Sequence, residues 1–187
     1  MAKIGLNNFR YGILTNETNG VATYGGAKTP GKAISCNVEI TNNDAKLYAD
    51  DVVQETDTTF STGTVTIGVD REDYQVQADL LGHTYAADTG IARNANDVAP
   101  YVGFGRVIVM MEDNVRSYKV EFLRKVKFSE PSQENNTKGE SVEFATVEMQ
   151  GTVSTLANGD WSVSQTFNNK EDAIAYLEGL LGTTPSV

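Results

Sequence analysis

The chain is poor in the residues that staple, catalyse or cross membranes. It has one cysteine among 187 residues, which excludes a disulfide within the chain. Cys36 sits in the apolar–polar run Ala33-Ile34-Ser35-Cys36-Asn37-Val38, a setting for a small packed side chain rather than a nucleophile. His83 is the one histidine. A zinc site or a nucleophilic triad built on it would need partners, and there is neither a second histidine nor a second cysteine. Just after a helix cap, His83 reads as a packing or capping residue. The one tryptophan, Trp161, stands beside a turn; stacking on a sugar is one reading and a packed strand start the commoner one. No apolar run exceeds Val107-Ile108-Val109-Met110-Met111, far below the ~20 residues of a membrane helix. The opening Met1-Ala2-Lys3-Ile4-Gly5 lacks an apolar stretch, so no secretion signal is expected and the Asn-x-Thr matches at Asn16 and Asn135 read as chance.

Basic residues are also scarce. Lys and Arg number 15 against 25 acidic residues, for a net charge of −10. That argues against a general nucleic-acid binder, which needs a basic face to replace phosphate counterions. It leaves room for a wall that DNA slides past. The charge is segregated. Lys3, Arg10, Lys28 and Lys32 against Glu17 make residues 1–32 basic. Glu39, Asp44, Asp50, Asp51, Glu55 and Asp57 against Lys46 make residues 39–57 acidic. Residues 106–128 are basic again. Such a pattern can match one copy of a protein to the next and steer their encounter, or it can be ordinary solvated faces.

What the chain has is turns and strand periodicity. Its length suits one domain with a real core, and its 17 glycines punctuate it. Residues 1–32 carry the turn signals Asn19-Gly20, Gly25-Gly26 and Pro30-Gly31 and little periodicity, so they read as an arm without a core of its own, with residues 33–187 as the domain. Ile34–Thr41 reads as a strand, Asn42-Asn43-Asp44 as a turn and Lys46–Ala49 as the return. Thr58–Val69 alternates over a long span. A helix follows over about 71–81, with Asp70 as its cap, Tyr74, Ala78, Leu80 and Leu81 as its apolar stripe and Gly82 as its end. Residues 83–100 read as a loop. Tyr101–Glu112, a turn at Asp113-Asn114 and Val115–Phe128 form a long hairpin. A polar loop at 129–141 leads to Val142–Leu156, a hairpin turn at 157–160 and Trp161–Phe167. A last helix over about 169–181, capped by Asn168 or Asn169, presents Ala173, Tyr176, Leu177, Leu180 and Leu181. The expected class is mainly β, an antiparallel sandwich or barrel-like fold with a flanking helix and a short C-terminal helix.

No constellation rises to an active site. Tyr48-Ala49-Asp50-Asp51 matches the metal-holding YxDD of polymerases, but the chain is too short and too acidic to grip a template. Gly103-Phe104-Gly105-Arg106 lacks the lysine and the loop-before-helix setting of a phosphate cradle, and reads as close backbone packing. Asp70, Glu72, Asp73 and Asp79 lack the spacing of a calcium loop. No catalytic residue, metal or cofactor is expected, and the chain reads as a non-enzyme.

One stretch is more telling. Lys46–Gly82, KLYADDVVQETDTTFSTGTVTIGVDREDYQVQADLLG, orders a short strand, an acidic loop, a long alternating strand and a short helix. With its LYADD and closing LLG, the opening from Ile4-Gly5-Leu6 to Tyr11, the Tyr101–Phe128 hairpin and the closing strand pair, the chain resembles over residues 1–181 the major tail proteins of siphophages that infect Gram-positive bacteria. The resemblance implies a virion protein, made in the bacterial cytoplasm, with a barrel-like sandwich fold. It implies hexameric rings that join their sheets and stack into a tail tube around a tape measure protein. Tail terminator and baseplate or distal tail proteins are the further partners implied. DNA would pass through the lumen without specific binding, and no membrane anchor is implied. Ring-to-ring bridges would come from 1–32, 42–57 or 129–141. Asp50, Asp51, Glu55 and Asp57 would serve a ring contact or the lumen wall. The helix at 169–181 has no clear place in the family core and would pack on the sandwich edge or decorate the tube. Two other readings compete: the tube of a contractile tail or tail-like bacteriocin, and a monomeric β-sandwich that binds a carbohydrate or a bacterial surface.

Overall fold

The computed structural model describes residues 2–49, 52–131 and 146–183, with side chains for all of these except 45–49 and 52–57. Its elements run β1 (Ala2–Thr18), β2 (Val21–Tyr24), β3 (Ala33–Ala49), β4 (Val52–Val69), α1 (Tyr74–Leu81), β5 (Thr84–Ala86), β6 (Gly90–Ala92), β7 (Val102–Glu112), β8 (Val115–Phe128), β9 (Val147–Val153), β10 (Ser162–Phe167) and α2 (Lys170–Leu180). Strand pairing among the described residues is antiparallel throughout. The main sheet has the order β2-β1-β7-β8-β9-β4-β3, and β10 also joins β8. The fold is the mainly β, antiparallel, sandwich-like architecture with a flanking and a C-terminal helix that the sequence leads one to expect.

β8 turns this one sheet into two layers. Its residues Tyr118–Leu123 pair with β10, whereas Val126–Phe128 pair with β9. The register between β7 and β8 slips between Val102 and Phe104, opposite Leu123–Val126. An extra residue in a strand reverses which face the following side chains take. Leu123, Val126 and Phe128 therefore all reach the inner core despite their mixed parity. That core joins Phe9 and Tyr11 of β1, Val102 and Phe104 of β7, Val65, Ile67 and Val69 of β4, and Met149 and Val153 of β9, with Val76, Leu80 and Leu81 of α1 closing it.

Several expectations are corrected. Residues 1–32 are not an arm: β1 lies between β2 and β7, and Phe9 and Tyr11 are fully buried. The alternation of Phe9, Tyr11 and Ile13 was broken upstream by Asn8, a bulge residue at φ 51°. Asn is one of the few residues that tolerates this conformation. Phe9→Ala should cost about 3–5 kcal/mol, read as a lower urea midpoint; an arm side chain would change stability by under about 0.5 kcal/mol. Asn42-Asn43-Asp44 is not a turn, because β3 runs through it to Ala49 and pairs with β4 over its length. The turn at 157–160 does not join a paired hairpin, since β9 and β10 bond to successive stretches of β8. The loop over 83–100 contains the small β5–β6 hairpin. Asp73, not Asp70, caps α1: its Oδ1 accepts from the amides of Gln75 and Val76. The buried stripe of α1 accordingly runs from Val76 to Leu81, and Tyr74 in the first turn is exposed. Asp50, Asp51, most of the 129–141 loop and residues 142–145 lie outside the described residues.

The other helix has a defined seat. Asn169 caps α2, and Glu171 and Asp172 complement its N-terminal dipole. Ala173, Leu177 and Leu181, spaced by four, are fully buried against Tyr24, Val107, Val120 and Phe122 on the outer face of the β1–β7–β8 layer. Gly105 of β7 clears the ground beneath Leu177.

Candidate functional site

The most unusual feature is the length of the β3–β4 hairpin. Three-strand pairing of β4 with β9 ends at Gly63, opposite Val153. From there Thr41–Ala49 and Val52–Thr62 pair only with each other among the described residues. At a rise of ~3.3 Å per residue, this two-stranded ribbon reaches roughly 30 Å past the sandwich. The residue types explain why it forms strands without joining a core. Thr41, Thr56, Thr58, Thr59 and Thr62, with Val52 and Val53, are β-branched and favour extended backbone. Apolar residues do not alternate with polar ones there, so neither face demands burial. Thr41, Asn42, Asn43 and Asp44 are exposed, and the Thr58 hydroxyl donates across the ribbon to Asp44 at 2.9 Å.

The base of the ribbon is fixed to the body. Phe60 stacks on Trp161 with ring centroids 4.8 Å apart and planes within 7°, and the Thr62 hydroxyl donates to the Val153 carbonyl at 3.1 Å. One face of Trp161 is thus taken by Phe60. Of the four acidic residues singled out, Glu55 and Asp57 lie on the β4 side of the ribbon, their backbones opposite Leu47 and Ala45. Their side chains, and Asp50 and Asp51 entirely, lie outside the described residues. Among the three candidate bridges, the described parts of 42–57, residues 42–49 and 52–57, belong to the ribbon, and 1–32 supplies β1 and β2 of the sheet.

Where the two layers part beside β3, a charged cluster is half-buried. Arg106 donates to Glu121 at 2.6 and 3.1 Å and to the Cys36 carbonyl at 3.2 Å, and Lys119 donates to the other Glu121 oxygen at 2.6 Å. Burial pushes the Glu121 carboxyl up, but the bonds from Lys119 and Arg106 outweigh it and hold it below the ordinary glutamate value. Burial moves the Cys36 thiol the opposite way from reactivity, upward. A depressed carboxylate stabilises the fold above its ordinary pKa, and that contribution is lost as pH falls through the folded value. Glu121→Gln should therefore cost about 1–2 kcal/mol at neutral pH, and the gap to the natural chain should close in acid below the ordinary value of 4.5. Paired urea titrations across that range check this; a gap that persists in acid would contradict it.

The remaining sequence candidates disperse. The carboxylates of Asp70, Glu72, Asp73 and Asp79 serve the Lys32 amide, the Gln77 side chain, the α1 cap, and Lys28 with Tyr11. The contact with Asp79 and burial of Tyr11 push that phenol far above its ordinary value, burial most. His83 is held between Asp97 and Glu130. A Cβ on Gly103 would meet Phe122 and Tyr24 at 2.6 and 2.7 Å, so the glycines of β7 answer to packing. What the sequence reading missed is the ribbon. The signal available was the run of β-branched residues from Val52 to Thr62, continuous with the alternating half of β4.

No protein-family model matches the chain, and no curated protein sequence matches it.

Proposed function

We propose that the protein is a structural subunit that assembles with copies of itself, the major tail protein of a long non-contractile phage tail. Its copies join into hexameric rings and stack into a tube around a tape measure protein, and DNA later passes through the lumen. The observation that carries this reading is the ribbon beyond Gly63. A hairpin of two strands is marginal alone in water, and it offers backbone edges that natural proteins cover or blunt. A neighbouring copy supplies the cover. The acidic sequence at 39–57 and the basic balance of 1–32 and 106–128 give unlike surfaces to such neighbours. A head-to-tail contact that does not close produces a filament, which is the geometry of a tube. Asp50, Asp51, Glu55 and Asp57 take the ring contact in this reading, since the backbone of Glu55 and Asp57 belongs to the ribbon.

Negative-stain electron microscopy of the purified protein, fresh and concentrated, tests the proposal. Hollow tubes or six-fold rings are the expected result. Small monodisperse particles at every concentration, even with tape measure and baseplate proteins added, would overturn it and favour a monomeric binding module.

A further inference from the structure

His83 follows Gly82, the left-handed cap of α1, and its side chain is 5% exposed. Both ring nitrogens face carboxylates from other parts of the chain. Nδ1 lies 2.7 Å from Asp97 Oδ2 in the 93–100 connection, and Nε2 contacts Glu130 Oε1 just past β8. A neutral imidazole carries one N–H and an imidazolium two. Only the protonated ring can donate to both carboxylates at once.

We propose that His83, Asp97 and Glu130 form a proton-operated latch: protonated His83 ties the 93–100 connection to the end of β8, and loss of the proton releases Glu130. This is independent of the tube reading.

The two carboxylates are not equivalent. Asp97 Oδ2 also accepts from the Asn94 amide at 2.8 Å, and the Asp97 amide donates back to the Asn94 carbonyl at 3.0 Å. Its carboxyl is held below the ordinary aspartate value, first by His83 and then by the Asn94 amide. Glu130 has a weaker hold. It is 55% exposed, and its other ion partner, Arg93 Nε, stands 3.8 Å away while that guanidinium donates to Gln77 at 2.9 Å. With one proton on the ring, Nδ1–H stays with Asp97. The Nε2 lone pair then faces a carboxylate oxygen, and Glu130 turns to water.

Among the described residues, the charges around the ring can be named. Arg93 and Lys127 line the same hollow as His83, Asp97 and Glu130. Glu148 of β9 flanks Glu130 on its far side. Glu72 accepts from the Gln77 side chain, which in turn accepts from Arg93. The latch therefore turns on whether the ring carries one proton or two, which sets whether it can donate to one carboxylate or to both.

His83 is the one histidine of the chain, so its ring Cε1–H signal in a proton NMR spectrum needs no assignment. The 187-residue protein is titrated from about pH 5 to 8.5 while the Glu130 amide and side-chain carboxyl signals are followed. They are expected to move with the midpoint of the ring, while the Asn94 amide stays nearly fixed. In His83→Gln the Glu130 response is expected to vanish. Glu130→Gln, at an exposed position that threatens no fold, supplies an amide that can donate to the neutral ring or accept from the charged one. The connection then holds at both ends of the titration, and hydrogen exchange at residues 128–130 loses its pH dependence beyond the intrinsic rate. Glu130 signals that ignore the ring midpoint would overturn the latch, as would a Glu130 response unchanged in His83→Gln.

Discussion

Gly105→Val should lift α2 off the sheet and cost about 3 kcal/mol or more, the upper end for an overpacked core. A Cβ at 105 would lie 2.2 Å from Leu177 Cδ1 and 3.1 Å from Phe122 Cδ2. Neither neighbour has room to yield. Leu177 is fully buried and Phe122 nearly so, and Phe122 is itself packed edge-on against Tyr24. The backbone cannot retreat either, because Gly105 is paired on one side with Arg10 and on the other with Phe122. Arg10 in turn holds α2 through Glu178 at 3.0 Å. The helix is therefore the part that moves. Urea unfolding measures the loss, and a second substitution tests its cause. Leu177→Ala vacates the volume that the new side chain needs. The double variant should recover about 1–3 kcal/mol relative to the sum of the single changes, the range for residues in contact. Strict additivity would show that the valine acts elsewhere.

Shortening the ribbon has the largest expected effect on assembly. Residues 44–58 can be replaced by Asn-Gly, the dipeptide that best closes a two-residue hairpin, leaving the Asn43–Thr59 pair as its last rung. The ribbon base at Phe60, Trp161 and Thr62 is kept. The shortened protein should fold with an unfolding midpoint near that of the natural chain, since Asn42–Asp44 are exposed and, among the described side chains, the inner core draws on β4 from Phe60 onward. Tubes and rings should be abolished. Tubes of normal appearance would remove the ribbon from the assembly contact. A collapse in stability would show instead that it belongs to the core of its own subunit.

The sequence spoke clearly where a local signal and a tertiary demand coincide. Asp113-Asn114 marks a tight hairpin turn, and both residues take positive φ, 48° and 64°. Ala173, Leu177 and Leu181 mark the seat of α2 because one helix face meets one sheet face. It spoke poorly where long-range pairing decides. Nothing near Phe9 and Tyr11 reveals that their partner strand begins at Val102, and the bulge at Asn8 scrambles the alternation that would have marked them. Asn42-Asn43-Asp44 has turn chemistry, yet β4 continues opposite it and holds it extended through pairs such as Asp44 with Thr58. The His83 latch was invisible for a similar reason, since Glu130 lies 47 residues away in the chain.

The placement of β1 also sets an order of events during synthesis. Ala2 pairs with Met111 and Ile13 with Val102, so β1 leaves the ribosome roughly a hundred residues ahead of its partner, and such distant contacts close slowly. The β3–β4 hairpin needs only its own neighbours and forms on a timescale of about microseconds. A nascent chain therefore carries a finished ribbon long before it has a sandwich. The unpaired edges of the ribbon are on show while Phe9 and Tyr11 are still bare. Crowded translation is the moment of greatest risk for premature association, and the acidic run along the ribbon, which makes nascent copies repel one another, is placed where that risk arises.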